Sequence, residues 1–123
     1  MTRILCVDDN DTNLYLLTRI LESAGIEVLA AKSGAAGVEM ARSAAPDLIL
    51  MDLNMPNIDG CEATRRIRAQ PETRSIPVIA LSAYDDAERI DMAKAAGCND
   101  YLVKPLDVRS LLSKINALLA PAP

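Results

Sequence analysis

Short apolar runs alternate with helix-patterned stretches about five times along this chain, and that alternation limits the folds open to it more than any other feature. The runs are Ile4-Leu5-Cys6-Val7, Ile26 to Ala31, Leu48-Ile49-Leu50-Met51, Val78-Ile79-Ala80-Leu81 and Tyr101-Leu102-Val103. Runs of this length read as strands, and the stretches between them are long enough for one helix and two brief loops, which predicts five β-α units. The 123 residues suit one domain. With no Trp or Phe and only three Tyr, its core must be aliphatic, as in a sheet covered by helices.

The first helix is expected from about Thr12 to Ala24, with Leu14, Leu17, Ile20 and Leu21 on one stripe and Gly25 as its stop. Ser33 can cap a second helix reaching about Ser43, which Ala45-Pro46 breaks before Asp47 opens the third strand. Asp59 with Glu62, and Asp85 with Glu88, have the spacing of capping pairs and place the starts of the third and fourth helices, while Pro71 and Gly97 mark where these have ended. The last helix carries Val108, Leu111, Leu112, Ile115, Leu118 and Leu119 on one stripe, with Arg109, Ser113, Lys114 and Asn116 facing outward. Right-handed crossovers and helices on both faces leave a doubly wound parallel (βα)5 sheet, flavodoxin-like, in strand order 2-1-3-4-5 as the most economical topology. The domain is expected over residues 1–120, with 121–123 a short tail and no attached output module.

Four of the runs end in chemistry: Asp8-Asp9, Asp52, Ser82 and Lys104-Pro105. Ligands of open parallel sheets bind outside the carboxyl ends of the strands, and order 2-1-3-4-5 makes strands one and three neighbours at the switch point. Asp8 and Asp9 would then lie beside Asp52. Three crowded carboxylates repel, each close pair costing on the order of 4 kcal/mol at 4 Å and an effective dielectric near 20. Either one of them is protonated or a divalent cation sits among them, and an all-oxygen donor set favours Mg²⁺, for which Mn²⁺ can substitute. A phosphoryl group against Asp52 would share its oxygens with such a metal, the Lys104 ammonium and the Ser82 hydroxyl. Taken singly, Asp8-Asp9 is equally a polar strand end, and Ser82 and Tyr101 an ordinary strand hydroxyl and half-buried aromatic; the combination carries the reading.

These residues bring a family into view. Asp8-Asp9-Asn10, Asp52-Leu53-Asn54-Met55-Pro56 followed by Asp59-Gly60, Ser82-Ala83, and Tyr101 three residues before Lys104-Pro105 resemble the response-regulator receiver domains of two-component signalling over about the whole chain. The chain is similar to stand-alone receivers of the chemotaxis and cell-cycle type. The resemblance implies that Asp52 accepts the phosphate, that Asp9, Asp52 and the Asn54 backbone carbonyl bind Mg²⁺ directly, and that Asp8 acts through water. It further implies that Ser82 and Lys104 hold the phosphoryl group, that Ser82 and Tyr101 switch the surface of helix four, strand five and helix five, and that Lys104-Pro105 is a cis peptide. Asn54 and Tyr84 fill positions at which receivers vary and which influence hydrolysis of the aspartyl phosphate. The expected role is a phosphoacceptor switch assisting its own phosphorylation and dephosphorylation, served by a sensor histidine kinase or a histidine phosphotransfer protein and acting on a downstream protein target.

Other features carry less. The formal charge of −4 disfavours nucleic acid and anionic lipid. No apolar run is long enough to span a membrane or to form a signal-peptide core, so a cytoplasmic monomer or weak dimer is expected. Cys6, Cys61 and Cys98 are spaced unlike a disulfide or zinc framework and read as small buried hydrophobes. Gly34-Ala35-Ala36-Gly37 lacks the Lys-Ser/Thr of a P-loop, Gly60 and Gly97 read as turn or cap glycines, and Arg65, Arg66 and Arg68 as a solvated helix face. Tyr15 points away from the main stripe of the first helix and Leu16 lies at its edge, as surface scatter or as a dock for a phosphohistidine-bearing bundle. Two other classes remain as alternatives besides a receiver cut from a longer hybrid kinase or regulator. A Mg²⁺-dependent aspartyl-phosphate phosphohydrolase would place a D-x-D motif at the first strand, and a flavin carrier would need a phosphate-cradling loop and ring partners.

Overall fold

The computed structural model describes residues 1–120, and the expected tail at 121–123 lies outside them. The elements run β1 (Arg3–Val7), α1 (Asp11–Ser23), β2 (Glu27–Ala31), α2 (Gly34–Ala44), β3 (Leu48–Asp52), α3 (Gly60–Ala69), β4 (Val78–Ser82), α4 (Ala87–Ala96), β5 (Asp100–Val103) and α5 (Val108–Leu119). All strands are parallel, in the order β2-β1-β3-β4-β5.

Strand periodicity explains the two-sided core. Alternate residues of a strand face opposite ways. Leu5, Val7, Ile49, Met51, Val78 and Ala80 therefore pack against Val38 and Ala41 of α2, Ala63 and Ile67 of α3, and Ala93 of α4. Ile4, Cys6, Leu48, Leu50, Ile79 and Leu81 pack against Leu14, Leu17 and Leu21 of α1 and Leu111 and Ile115 of α5. Strands buried on both faces must be apolar throughout, which is why β1, β3 and β4 read as unbroken runs. No helix among the described residues is long and apolar enough to cross a membrane.

The helix ends follow local chemistry, and four residues depart from expectation. Asn10, Ser33, Asp59 and Asp107 cap α1, α2, α3 and α5 by accepting the N–H groups of Asn13, Ala36, Glu62 and Ser110. For α4 the cap is Asp86 rather than Asp85: its carboxylate accepts the Arg89 N–H and also pairs with the Arg89 guanidinium at 2.8 Å, a double use that Asp85 cannot match. Val108, expected on the buried stripe of α5, is exposed because it opens the helix directly after Asp107, and the Lys114 ammonium, expected outward, donates to both carboxylate oxygens of Asp100 of β5.

Arg68 is the fourth departure. Arg65 and Arg66 lie on the solvated face of α3 as expected, and both pair with Glu62. The Arg68 guanidinium instead folds inward, donating to the carbonyls of Gly97, Arg74 and Ile76 and to Asn99 Oδ1. It ties α3, the approach to β4 and the end of α4 into one corner. Gly97 ends α4 in the left-handed region at φ 111°, and a Cβ there would also press on the Arg68 side chain.

Candidate functional site

The site is assembled by register. Val7 pairs with Met51, Asp52 with Leu81, and Ser82 with Val103, so the residues at the carboxyl ends of four strands come out side by side. Backbone bonds beyond the regular ladder hold those tips: Asp8 N–H to Ala31 O at 3.1 Å, Leu53 N–H to Leu81 O at 3.0 Å, and Lys104 N–H to Ser82 O at 2.7 Å. The Lys104–Pro105 peptide is cis, as expected. Gly60 is more than a cap glycine, because a Cβ on it would collide with the Asp52 carbonyl oxygen and the Leu53 Cα. The first turn of α3 can press against the end of β3 only because that atom is missing.

Every expected residue except Tyr101 lies at or beside this cluster. One carboxylate oxygen from each of Asp8, Asp9 and Asp52 falls within 4.8 Å of the other two. Asp8 and Asp52 are buried, at 1% and 3% exposure, while Asp9 is open to solvent. The Lys104 ammonium stands 3.4 Å from Asp52 Oδ1 and 3.6 Å from Asp8 Oδ2. Asn10 N–H donates to Asp8 Oδ1 at 2.9 Å, and Asn54 N–H to Asp52 Oδ1 at 3.0 Å. Ser82 Oγ accepts the Tyr84 N–H at 3.2 Å and approaches Asn54 Oδ1 at 3.4 Å.

Tyr101 stands farther along, half-buried against the α2–α4 face of the sheet. Its hydroxyl donates to the Tyr84 carbonyl at 2.6 Å. The Tyr84 backbone thus accepts Tyr101 with one group and donates to Ser82 with the other, a link invisible in the sequence.

The electrostatics suit a bound cation. Burial pushes the Asp52 carboxyl above the usual carboxylate range and the Asp8 charge adds to this, whereas the Asn54 N–H and the Lys104 ammonium pull it back. Asp8 Oδ2 is buried without a hydrogen-bond partner. A buried carboxylate oxygen needs a proton, a water or a metal, and three carboxylates converging without His or Cys form a hard, all-oxygen donor set that fits Mg²⁺.

The response regulator receiver domain family matches residues 4–116. The chain belongs to that family. Membership implies a phosphoacceptor in two-component signalling, and receiver domains bind Mg²⁺ at an acidic site of this kind. The receiver is 46% identical over 120 residues to protein PilH of Pseudomonas aeruginosa, covering 98% of this chain and 99% of PilH. It is 42% identical to the sensor protein GacS of Pseudomonas syringae, covering 98% of this chain but 14% of GacS. Among solved structures, the receiver domain of sensor histidine kinase PA1611 from Pseudomonas aeruginosa superposes with a TM-score of 0.91 at 36% identity, over 98% of each chain. That structure has a magnesium ion coordinated in its active site cleft.

The cysteines are free and buried, with Cys6 and Cys98 thiols pushed by burial up to about 12 and about 11. They are hydrophobes, not nucleophiles. Tyr15 and Leu16 are 59% and 53% exposed on α1. Leu16 lines a groove of about 510 Å³ with Ile20, Pro105 and Leu106, and Asp8 and Lys104 share its wall. Sequence reasoning missed Arg89, whose only signal was its three-residue spacing from Asp86.

Proposed function

We propose that residues 1–120 form a receiver that accepts a phosphoryl group on Asp52 and signals through protein contacts in the cytoplasm. The observation that carries this is the convergence of Asp8, Asp9, Asp52, Ser82 and Lys104 at one sheet edge, with Asp52 buried and touched by one cation. A carboxylate oxygen of Asp52 attacks the phosphorus of a donor phosphohistidine in line. The O–P bond forms as the P–N bond breaks, and the departing imidazole nitrogen keeps the electron pair. Lys104 and the Ser82 hydroxyl hold the phosphoryl oxygens as charge builds on them. Asp9, Asp52 and the Asn54 carbonyl would ligate Mg²⁺ or Mn²⁺, with Asp8 engaged through water. The metal supplies a divalent charge that cancels the carboxylate repulsion and neutralises the phosphoryl oxygens.

Output follows from the links around Tyr84. When Ser82 turns to the new phosphate, its bond from the Tyr84 N–H is disturbed, and Tyr101 is tied to the same residue. Tyr84, Met92, Val103 and Val108 are exposed apolar residues near or on α4, β5 and α5, suiting a face read by a downstream protein. Input suits the other side, where the groove beside Leu16 opens onto Lys104 and Asp8. A sensor histidine kinase or a histidine phosphotransfer protein would dock there, meeting a monomer or weak dimer. Tyr15→Ala with Leu16→Ala should slow phosphorylation by such a protein and not by acetyl phosphate; equal slowing would reject this dock.

Intact-mass analysis after incubation with acetyl phosphate tests the whole reading. One Mg²⁺-dependent phosphate is expected on wild type and none on Asp52→Asn; phosphate on the variant, or uptake indifferent to metal, would refute it. The match to 14% of GacS supports a second reading, a receiver working inside a longer sensor. Immunoblotting of source cells decides between them by the size of the band.

A further inference from the structure

Two cavities flank the strand tips, and each has one cation in its wall. Lys104 lines the larger, on the α1 side. The smaller, of about 200 Å³, lies on the α4 side between the β3–α3 loop and α4, and its lining includes Asn54, Ser82, Asp59, Met92 and Arg89. Arg89 is the only basic residue in that lining.

Arg89 is parked, not fixed. Its guanidinium lies 4.0 Å from the centroid of the Tyr84 ring and donates to Asp86 Oδ1 at 2.8 Å. The Arg89 and Asp86 side chains are 49% and 42% exposed, and solvent-exposed pairs three residues apart on a helix contribute only a few tenths of a kcal/mol. A phosphoryl group on Asp52 would place up to two negative charges beside Asn54 and Ser82, which line the same cavity as Arg89, and guanidinium meets phosphate oxygens with a bidentate fork, against a larger charge than the Asp86 carboxylate carries. Tyr84 is joined to Ser82 by its N–H, so the ring that carries Arg89 is already coupled to the phosphoryl side.

We propose that Arg89 is a second cation for the phosphoryl group, leaving Asp86 and the Tyr84 ring to reach its oxygens across the small cavity once Asp52 is modified. This rests on Asp52 being the acceptor. Lys104 then neutralises one side of the group and Arg89 the other, and the departure of Arg89 from Asp86 changes the first turn of α4.

Titration of Mg²⁺-loaded protein with beryllium trifluoride, a tetrahedral phosphoryl analogue, followed through the amide resonances of Asn54 and Ser82, tests the proposal. Arg89→Ala should raise the dissociation constant about fivefold, the worth of one partly exposed charge-assisted contact, and Arg89→Lys should stay within about twofold of wild type. The affinity for Mg²⁺ alone should be the same in all three proteins. An unchanged beryllium trifluoride constant in Arg89→Ala overturns the proposal, as does equal weakening of Mg²⁺ binding, which would mark a structural role. Wild type that shows no response to the analogue refutes the acceptor reading itself, a different failure.

Discussion

Replacing the acceptor with its neutral isostere should make the metal-free protein more stable. Carboxylate oxygens of Asp8, Asp9 and Asp52 lie within 4.8 Å of one another, so each pair costs about 3.5 kcal/mol at an effective dielectric of 20. Asp52 has two such neighbours, while Lys104 at 3.4 Å returns about 5 kcal/mol. Water screens much of the Asp9 share, and burial of Asp52 adds a desolvation cost. The balance is a penalty of about 1–2 kcal/mol, which Asp52→Asn removes while keeping an oxygen for the Asn54 N–H. In EDTA the variant should therefore melt about 3–10 °C above wild type.

The pH dependence has a definite sign. The folded Asp52 carboxyl titrates above the ordinary value of about 3.9. As pH rises, the unfolded chain releases this proton first, so wild type loses stability between the ordinary and the raised value. The gap between variant and wild type should be full above that window and absent below it. Mg²⁺ at ten times its dissociation constant should return about 1.4 kcal/mol to wild type, narrowing the gap from the other side. Calorimetry with and without EDTA checks each point, and an Asp52→Asn protein less stable than wild type without metal would refute the account of crowded charge.

Other substitutions probe the supports. Gly60→Ala should cost about 1–3 kcal/mol in urea unfolding, because the new methyl meets backbone at Asp52 and Leu53 rather than a side chain able to move. Arg68→Ala should cost about 2–3 kcal/mol by the same assay, since three carbonyls lose its guanidinium as a donor and Asn99 Oδ1 keeps only the Val78 N–H, although a solvated arginine would have been neutral. Tyr101→Phe should cost about 1 kcal/mol and increase hydrogen exchange in the β4–α4 loop, having lost the bond to the Tyr84 carbonyl.

What could be read in the residues was whatever local chemistry and periodicity decide. Unbroken apolar runs require strands covered on both faces; Ser33 and Asp59 cap the helices they precede, and the breaks at Gly25, Pro46 and Gly97 need no tertiary information, whereas the caps Asn10 and Asp107 went unread. The polar strand ends were legible too, because a parallel sheet sends all of its carboxyl ends to one edge. Asp85 and Asp86 show the limit of such reading. Both are adjacent acids with a plausible partner downstream, and the cap is chosen by where the backbone arrives after Ser82 and by the second bond from Arg89.

The tertiary structure alone decided matters between elements distant in sequence. That Arg68 bonds to three carbonyls while its neighbours face water depends on where the end of α4 and the approach to β4 come to rest beside α3. That Tyr84 joins Ser82 to Tyr101, and that Arg89 shares a cavity wall with Ser82, depends on the path of one loop. A sequence specifies which groups a chain carries and which way each strand and helix turns them. Distances of 3 Å between groups far apart along it arise only when packing sets the elements against one another, because only then does the backbone lose the freedom that keeps such groups apart.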